Sequence, residues 1–568
     1  MAKIKVMDEL LANKIAAGEV VERCASVVKE LVENSIDADS HEIKVCIEEA
    51  GTKLIQVIDD GIGMDKEDAV LAFDRHATSK LKTEEDLYQI DTLGFRGEAL
   101  ASIASVSDIV LKTSTGEVGT LVELHGGKIV STEPSDARCG TSITVKNLFY
   151  NTPARLKHMK SLYTELASIV DYMNKIALSH PNIKFTLTNN NNILLKTDGS
   201  GQLLKTIKEI YGIGIVKKML AVEASDADYD ISGYISLPEV HRSSRNHMIT
   251  LVNGRVVRNS ELNKTINDAY HSYKPDTRYP IVVLMIEVDP SLIDVNIHPT
   301  KMDIKFSKLE ELKTLIADMI QKELKKGTFI PNAVEESDED IREEKPKYVE
   351  QKISFGTINE EVRDYIVIDE GKNDNQLFSL ENIREEKNVQ EEKQENRLPD
   401  LYPVGVVHGT YIICQNDKGM YLIDQHAAKE RCNYEYYKKK FGNPTKENIA
   451  MLFPYTEEFT TSEYIILKEN FDVLRNIGFV VEEFGVNSII VKAHPIWLKS
   501  EDIEDSIRKI LELVISMEKN FDIEKFNESA ATMLSCKKAI KANDFITQAE
   551  MEKLIEDLHQ CDNPFHCP

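Results

Sequence analysis

The chain has 568 residues, a formal net charge of −26 and a hydrophobic fraction of 42%, which is normal for a folded protein. Its length is enough for about three domains. Eight cysteines are scattered without a framework spacing, as expected in a reducing cytosol. We find no signal peptide and no apolar run long enough to span a membrane. We therefore expect a cytoplasmic protein with no membrane partner.

The segment Val27 to Asp37 is predicted to be a helix, because it lacks Gly and Pro and its apolar residues recur at helical spacing. Glu30, Asn34 and Asp37 then lie on one face. A carboxylate and an amide one turn apart suit phosphoryl transfer, since the first accepts a proton from an attacking water and the second ligates Mg2+. Taken alone, the pattern is more typical of an ordinary solvated helix face.

The apolar run Leu54 to Ile58 predicts a buried strand that ends at Asp59. A carboxylate at this position can accept a hydrogen bond from the exocyclic amine of adenine. Gly61 and Gly63 would let the backbone approach a ligand closely and adopt positive φ. The alternative is a tight turn, because Asp-Gly is a common turn pair.

Two glycines, Gly94 and Gly97, precede a small apolar helix predicted at Glu98 to Ala104. Glycine loops before helices can wrap phosphates. The polar stretch Arg75 to Lys80 is interpreted as a lid over the same site. A plain surface loop is the alternative for either stretch.

Together and in this order, the three segments resemble the GHKL ATPases, a group that includes gyrase-type topoisomerases, heat-shock chaperones, histidine kinases and the MutL mismatch-repair proteins. Within that group the chain is most similar to the MutL family. Family-specific motifs carry this resemblance at Ile15–Val21, Arg75–Lys80, Gly140–Thr141, Phe149–Arg155, Val252–Arg255 and Asp294–Lys301.

The resemblance implies a role for each residue of an ATP and Mg2+ site. Glu30 would be the general base of hydrolysis, Asn34 would hold Mg2+, and Asp59 would bind adenine. Lys301 would reach the terminal phosphate from a second domain. The other implied nucleotide contacts are Gly63, Thr78, Ser79, Lys80, Gly94, Phe95, Arg96, Gly97, Glu98 and Thr141.

An acidic stretch at 332–397 divides the chain. It holds twenty acidic and ten basic residues, a net charge of −10, and is predicted to be a disordered linker. We expect a multidomain α/β and α+β protein: a GHKL (Bergerat) ATPase sandwich at 1–205, a second α/β domain at 206–331, and a C-terminal α/β domain at 398–568. Strands are predicted around Tyr234, Ile249–Asn253, Ile281–Val288, Val404–Ile413 and Tyr421–Asp424.

A second site is predicted where the strand Met420 to Ile423 runs into a helix that starts near His426. His426 and Glu430 would face the same way, and Asp424 could join them to bind Zn2+ or Mn2+. The alternative for Asp424 is a helix cap. A thiolate from Cys536 or Cys567 would favour zinc.

The resemblance extends to the endonuclease-type members of the MutL family, through Asp424–Glu435, the Cys536 segment and Asn563–Pro568. It implies a C-terminal dimerisation and endonuclease domain whose metal is bound by Asp424, His426, Glu430, Cys536 and Cys567. Asp424 and Glu430 would act in catalysis. In the family the last motif continues with His-Gly-Arg-Pro, so we expect that the sequence is incomplete after Pro568 and that metal binding is impaired.

The resemblance also implies partners. These are double-stranded DNA, a MutS-type mismatch sensor and a second copy of the chain, in a nucleoid-associated bacterial protein. Clamp binding is expected to be weak, since Ile449 stands where the family's sliding-clamp segment begins with Gln. The alternative function is an ATP-switched matchmaker without nuclease activity; a topoisomerase or chaperone is disfavoured by the C-terminal motifs. Basic DNA-contact candidates are Arg242, Arg245, Arg255, Arg258 and 155–160.

Overall fold

The computed structural model describes residues 21–80, 92–94, 97–136, 138–275, 278–294, 304–326, 398–445, 447–498, 503–517, 522–537 and 546–566. The predicted linker at 332–397 lies outside them, as do the predicted site residues Phe95, Arg96, Lys301 and Cys567. Cys536 lies in a described helix, but its side chain is outside the description. No helix in the described ranges is long and apolar enough to cross a membrane.

The first part of the chain is a sheet of eight strands covered by helices. The strands are β1 Glu42–Glu48, β2 Leu54–Asp59, β3 Asp108–Ser114, β4 Gly119–His125, β5 Lys128–Ser135, β6 Gly140–Lys146, β7 Lys184–Asn189 and β8 Asn192–Lys196. Their order is β5-β4-β3-β6-β2-β1-β7-β8. All neighbours are antiparallel except β1 and β7. The helices are α1 Cys24–Asp37, α2 Lys66–Leu71, α3 Ala99–Ser105, α4 Pro153–His158 and α5 Leu162–Ser179.

Burial alternates along the central strands, so one face of this sheet is the core. Ile43, Val45 and Ile47 of β1 are buried, as are Ile55 and Val57 of β2. They join the buried faces of α1 and α5 in one apolar cluster. This arrangement, helices on one sheet face, is the expected ATPase sandwich.

The second part contains a five-stranded sheet of order β13-β12-β15-β10-β9 and two short strand pairs. Its strands are β9 Met219–Ser225, β10 Tyr229–Ser236, β11 His241–Arg242, β12 Met248–Val252, β13 Arg255–Val257, β14 Tyr279–Pro280, β15 Val282–Val288, β16 Ile293–Asp294 and β17 Lys305–Phe306. The helices are α6 Leu203–Tyr211, α7 Ile213–Val216, α8 Ser260–Ala269 and α9 Leu309–Lys326. Helices α8 and α9 pack together over the sheet and close a separate core.

The C-terminal part has two three-stranded sheets, ordered β18-β19-β20 and β21-β23-β22. The strands are β18 Tyr402–Val407, β19 Tyr411–Asn416, β20 Gly419–Asp424, β21 Asn448–Glu458, β22 Val480–Glu483 and β23 Ser488–Pro495. The helices are α10 Gln425–Gly442, α11 Thr461–Glu469, α12 Phe471–Asn476, α13 Ile503–Ser516, α14 Ile523–Lys537 and α15 Gln548–His559.

Several predicted elements are confirmed, and one is wrong. Helix α1 begins three residues before the predicted start at Val27, and β2 includes Asp59. The run Val404 to Ile413, expected as one strand, is a hairpin. Its turn contains His408 and Gly409 with φ of 52° and 59°, values that interrupt a strand.

The C-terminal part also contacts the two preceding sheets. His247 Nε2 lies 3.0 Å from Glu463 Oε1, and the Thr461 hydroxyl donates to the Leu194 carbonyl over 3.3 Å. Arg278 pairs with the buried carboxylate of Glu512. Helix α11 packs along α5 at this contact.

Candidate functional site

A cavity of about 1270 Å3 opens beside the C-terminal end of α1. The predicted nucleotide residues that the structure describes all line it, although they come from five separate stretches of the chain. They are Glu30, Asn34, Asp59, Gly63, Thr78, Ser79, Lys80, Gly94, Gly97, Glu98 and Thr141. The structure therefore assembles in one place what the sequence holds more than one hundred residues apart.

Helix α1 supplies the polar wall of this cavity because its two faces differ. Val28, Leu31 and Val32 are essentially inaccessible and fix the helix on the sheet. Glu30 and Asn34, one turn apart, face the cavity instead. Apolar burial on one side thus determines the direction of the polar side chains on the other.

Asp59 is a buried carboxylate at the end of β2. Its Oδ1 accepts the backbone N–H groups of Gly61 and Thr141, each over 3.0 Å. Its Oδ2 accepts the Ser35 hydroxyl over 2.8 Å. Burial raises the pKa of Asp59, and these three donors oppose the rise. The carboxylate is rigidly held, and its helix partner Ser35 is a residue to which the sequence pattern assigns no role.

Gly63 is the position where the backbone leaves no room for a side chain. Its φ is +70°, and a Cβ atom there would lie 2.0 Å from the Ser114 carbonyl oxygen. Only glycine combines that φ with that contact. The loop after β2 is therefore packed tightly against β3 on the cavity wall.

A cation already lies beside the predicted magnesium ligand. The Lys80 ammonium is 3.1 Å from Asn34 Oδ1 and 2.5 Å from Asp37 Oδ2. Asp37 also accepts the backbone N–H groups of Leu93 and Gly94, each over 2.9 Å. These oxygens are hard donors of the type that Mg2+ prefers, and they hold a positive group here. The residues present therefore fit a cation at this place.

Asp37 is a residue whose importance the sequence pattern does not reveal. Helical spacing places it on the face of Glu30 and Asn34 but assigns it no function. Its side chain is 5% exposed and joins α1 to both Lys80 and residues 93–94. The helical spacing of Asp37 could have indicated its place beside Glu30 and Asn34. Nothing in the sequence indicates its contact with Lys80.

At the predicted metal site, strand β20 runs directly into α10. Asp424 caps the helix: its Oδ1 accepts the N–H groups of His426 and Ala427 over 2.9 and 3.1 Å. His426 Nε2 and Glu430 Oε1 are 3.5 Å apart. The structure thus brings the predicted ligands His426 and Glu430 together. The third predicted ligand, Asp424, caps the helix, which is the alternative role considered for it from the sequence.

Glu435, the last acid of the same motif, is occupied elsewhere. It pairs with Arg431 and accepts the backbone N–H groups of Asp562 and Asn563 over 2.7 and 3.2 Å. Burial would raise the pKa of Glu435, but these donors lower it. Among the described side chains, no three His, Cys, Asp or Glu form a cluster that could hold a metal ion.

The basic candidates for DNA contact differ in exposure. Arg255 is buried and its guanidinium donates to the Thr92 carbonyl. Arg245 stacks over Tyr279, 5.1 Å from the ring centre. Arg245, Arg258 and Lys157 are exposed. An exposed phosphate-binding surface would therefore depend on these three.

Comparisons with known proteins place each part of the chain in a family. Residues 22–136 match the family described as histidine kinase-, DNA gyrase B- and HSP90-like ATPases. Residues 207–325 match a DNA mismatch repair protein domain, and 404–546 match the MutL C-terminal dimerisation domain. DNA mismatch repair protein MutL from Anoxybacillus flavithermus is 46% identical over 599 residues, and the alignment covers 100% of this chain and 96% of the relative. The relative of the same name from Listeria monocytogenes is 46% identical over 584 residues, with the same coverages.

Proposed function

The chain belongs to the MutL family of DNA mismatch repair proteins, and on that premise we propose that it is an ATP-hydrolysing switch that controls a metal-dependent nick in DNA. Its GHKL ATPase domain and its dimerisation domain support ATP binding and a homodimer. Recruitment by a MutS-type sensor, DNA binding and the endonuclease are the proposed steps. The cavity that gathers eleven predicted nucleotide residues is the observation that carries the proposal.

In the proposed ATPase reaction, Glu30 accepts a proton from the attacking water and Asp59 orients adenine through its carboxylate. Asn34 would hold Mg2+, which neutralises phosphate charge when bound. Lys80 and the glycines at 94 and 97 would surround the phosphates, and Lys301 would complete the site from the second domain. We also propose that the ATPase domain ends at residue 205 and that the second domain ends at residue 331.

A Glu30→Ala variant should bind ATP like the native protein but hydrolyse it at least about 100-fold more slowly, because the general base is gone. Single-turnover hydrolysis and nucleotide binding are measured on the same preparation. Glu67→Gln is the control, since Glu67 is exposed on α2 and does not line the cavity. Unchanged hydrolysis in Glu30→Ala would refute the assignment.

For the C-terminal site we propose Zn2+ or Mn2+ bound by Asp424, His426, Glu430, Cys536 and Cys567. The bound metal would activate water and neutralise charge on the phosphodiester. The approach of His426 to Glu430 supports this set. So does the packing of α14, the helix that contains Cys536, along α10.

The test uses Asp424→Asn, because Asn also caps helices well and should leave α10 intact. Nicking of supercoiled plasmid with Mn2+ should be lost, and bound zinc by elemental analysis should fall. Nicking that survives in the variant would exclude Asp424 from catalysis. If the native protein neither nicks nor holds metal, the competing proposal applies, an ATP-switched matchmaker that recruits another nuclease.

DNA binding would use the exposed cations Arg245, Arg258 and Lys157. Arg258 and Lys157 are the test positions, because Arg245 also stacks on Tyr279. Replacing either with Gln should weaken duplex binding and reduce the salt slope by about 0.9 for each phosphate that the variant fails to neutralise. Fluorescence anisotropy over a salt series measures both quantities. Lys128→Gln, at an exposed position of β5, should leave them unchanged. An equal effect in all three variants would indicate only a nonspecific influence of charge.

Sliding-clamp binding would use the bulged stretch of β21 after Ile449. There Leu452 and Phe453 are 88% and 78% exposed, which supports an apolar docking segment. Because the family's Gln is absent, we expect weak binding. Restoring it with Ile449→Gln should tighten clamp binding in a pull-down titration, and Phe453→Ala should abolish it. The cytoplasmic, nucleoid-associated location remains a prediction.

A further inference from the structure

Two cysteines that are not among the predicted metal ligands face each other in the C-terminal part. Cys432 lies on α10, and Cys561 follows the end of α15. Their sulfur atoms are 3.9 Å apart, and both side chains are half-buried. They pack on a small apolar cluster that includes Ala428 and Leu558. The sequence separates them by 129 positions, so only the fold shows the pair.

The backbone around Cys561 is fixed to the same helix that carries Cys432. Glu435, one turn further along α10, accepts the N–H groups of the two residues that follow Cys561, Asp562 and Asn563. The N–H of Cys561 donates to the Leu558 carbonyl over 3.1 Å. The two thiols are therefore neighbours because of a hydrogen-bonded anchor, and their effective concentration towards each other is high.

We propose that Cys432 and Cys561 are a modification site, a dithiol that low-molecular-weight disulfides oxidise to an intramolecular disulfide. A bond between the sulfurs requires about 2.05 Å, so the two side chains together must move by roughly 2 Å. The proposal rests on this geometry and does not depend on the proposed nuclease.

The reaction is a double thiol–disulfide exchange. One cysteine thiolate attacks a sulfur of the reagent, the reagent's S–S bond breaks, and its first thiol leaves. The second cysteine thiolate attacks the mixed disulfide and releases the second thiol. Both cysteine sulfurs are oxidised, both reagent sulfurs are reduced, and the two protons leave on the released thiols. The product would tie α10, which carries His426 and Glu430, to the segment after α15.

The test treats the full chain with oxidised glutathione and maps its peptides by mass spectrometry. We expect a peptide pair linked through Cys432 and Cys561, lighter by two hydrogen atoms and separable by dithiothreitol. Cys432→Ser and Cys561→Ser should each carry glutathione on the remaining cysteine instead. Cys46→Ser, at a half-buried thiol of β1, should still give the linked pair.

Three results would overturn the proposal. The first is that both cysteines of the native chain carry glutathione. The second is that neither cysteine reacts. The third is that the cysteines react only after a chelator removes a bound metal ion. The last result would identify a soft-metal site in place of a disulfide. If a serine variant fails to fold, the peptide map of the native chain decides alone.

Discussion

Asp59 is the side chain that we propose as the adenine acceptor, and it also has a role in the fold. Three donors hold its carboxylate, yet burial still raises its pKa above that of an ordinary aspartate. A buried charge that the fold itself would not need is typical of a functional site. We therefore expect stability and nucleotide affinity to respond in opposite ways when this charge is removed.

An Asp59→Asn variant should keep the thermal midpoint of the nucleotide-free protein at pH 7, or raise it. The reason is that a raised pKa means the charged form destabilises the folded state above that pKa. ATP affinity should fall by about tenfold or more, because adenine loses a charged acceptor. Differential scanning fluorimetry and calorimetric titration measure the two effects.

The neighbouring variant Asp60→Asn is the control. Asp60 is exposed and accepts the N–H groups of His41 and Glu42, so ATP affinity should stay unchanged. The native protein should also lose ATP affinity on acidification at a higher pH than an ordinary aspartate would allow. A lower midpoint with native affinity in Asp59→Asn would contradict the assignment.

Helical spacing is sufficient to predict the shared face of Glu30 and Asn34, since it depends on residues within two turns. It is insufficient for Lys80, whose partners lie 43 and 46 positions earlier in the chain. The same limit applies to Cys432 and Cys561. Periodicity reports which residues share a face of one element, but it contains no information about which elements meet.

At the scale of elements, the ends of strands and helices decide where the site residues lie. Asp59 and Asp424 each terminate a strand, and both use carboxylate oxygens to hold backbone N–H groups. The turn after β18 escapes prediction even though His408-Gly409 is a turn-compatible pair, because the flanking apolar residues suggest one continuous strand. The residues at the ends of an element therefore predict its boundaries better than the length of an apolar run does.

An Asp424→Ala variant should lose about 1 kcal/mol of stability in the C-terminal part, because α10 loses its cap. Asp424→Asn should lose much less. Trp497 is the single tryptophan of the chain and is buried in the C-terminal core, so its fluorescence during urea unfolding reports on this part. Equal losses in both variants would show that the charge of Asp424, and not its cap, stabilises the helix.

At the scale of the whole molecule, buried ion pairs join the C-terminal part to the second sheet. Glu463 contacts His247, and it also closes a capping box with Thr460. Burial alone would raise the pKa of Glu463, but His247, Arg242 and the Thr460 N–H outweigh it and hold the pKa at about 2. The charged form of Glu463 therefore stabilises the folded state more than the neutral form does.

A Glu463→Gln variant keeps one acceptor oxygen for the cap, removes the charge, and replaces the second oxygen with an amide NH2 group. Because the pKa is depressed, the stabilisation is complete above the ordinary value of 4.5 and is lost as the pH falls towards 2. We expect a loss of about 1–3 kcal/mol at pH 7, because buried hydrogen bonds to His247 and Thr460 lose their charged acceptor. The gap between variant and native protein in urea midpoints should narrow as the pH falls below 4.5.

The matched control is Glu550→Gln, which changes an exposed capping box of the same design on α15. Its effect at pH 7 should be clearly smaller, since solvent screens its charge. If both variants lose the same stability, the ion pair with His247 contributes nothing beyond the cap. Comparing the two variants therefore distinguishes the stabilisation from the Glu463–His247 contact from the stabilisation that a helix cap gives by itself.

If the proposed function is right, the Lys80 ammonium beside Asn34 and Asp37 would make nucleotide loading an ion exchange. Lys80 balances the charge of Asp37 in this structure, so an entering Mg2+ would replace that ammonium at Asn34 and Asp37. The released ammonium can then follow the negative charge of the phosphates. Lys80 would then balance the charge of Asp37 in one state and the charge of the phosphates in the other.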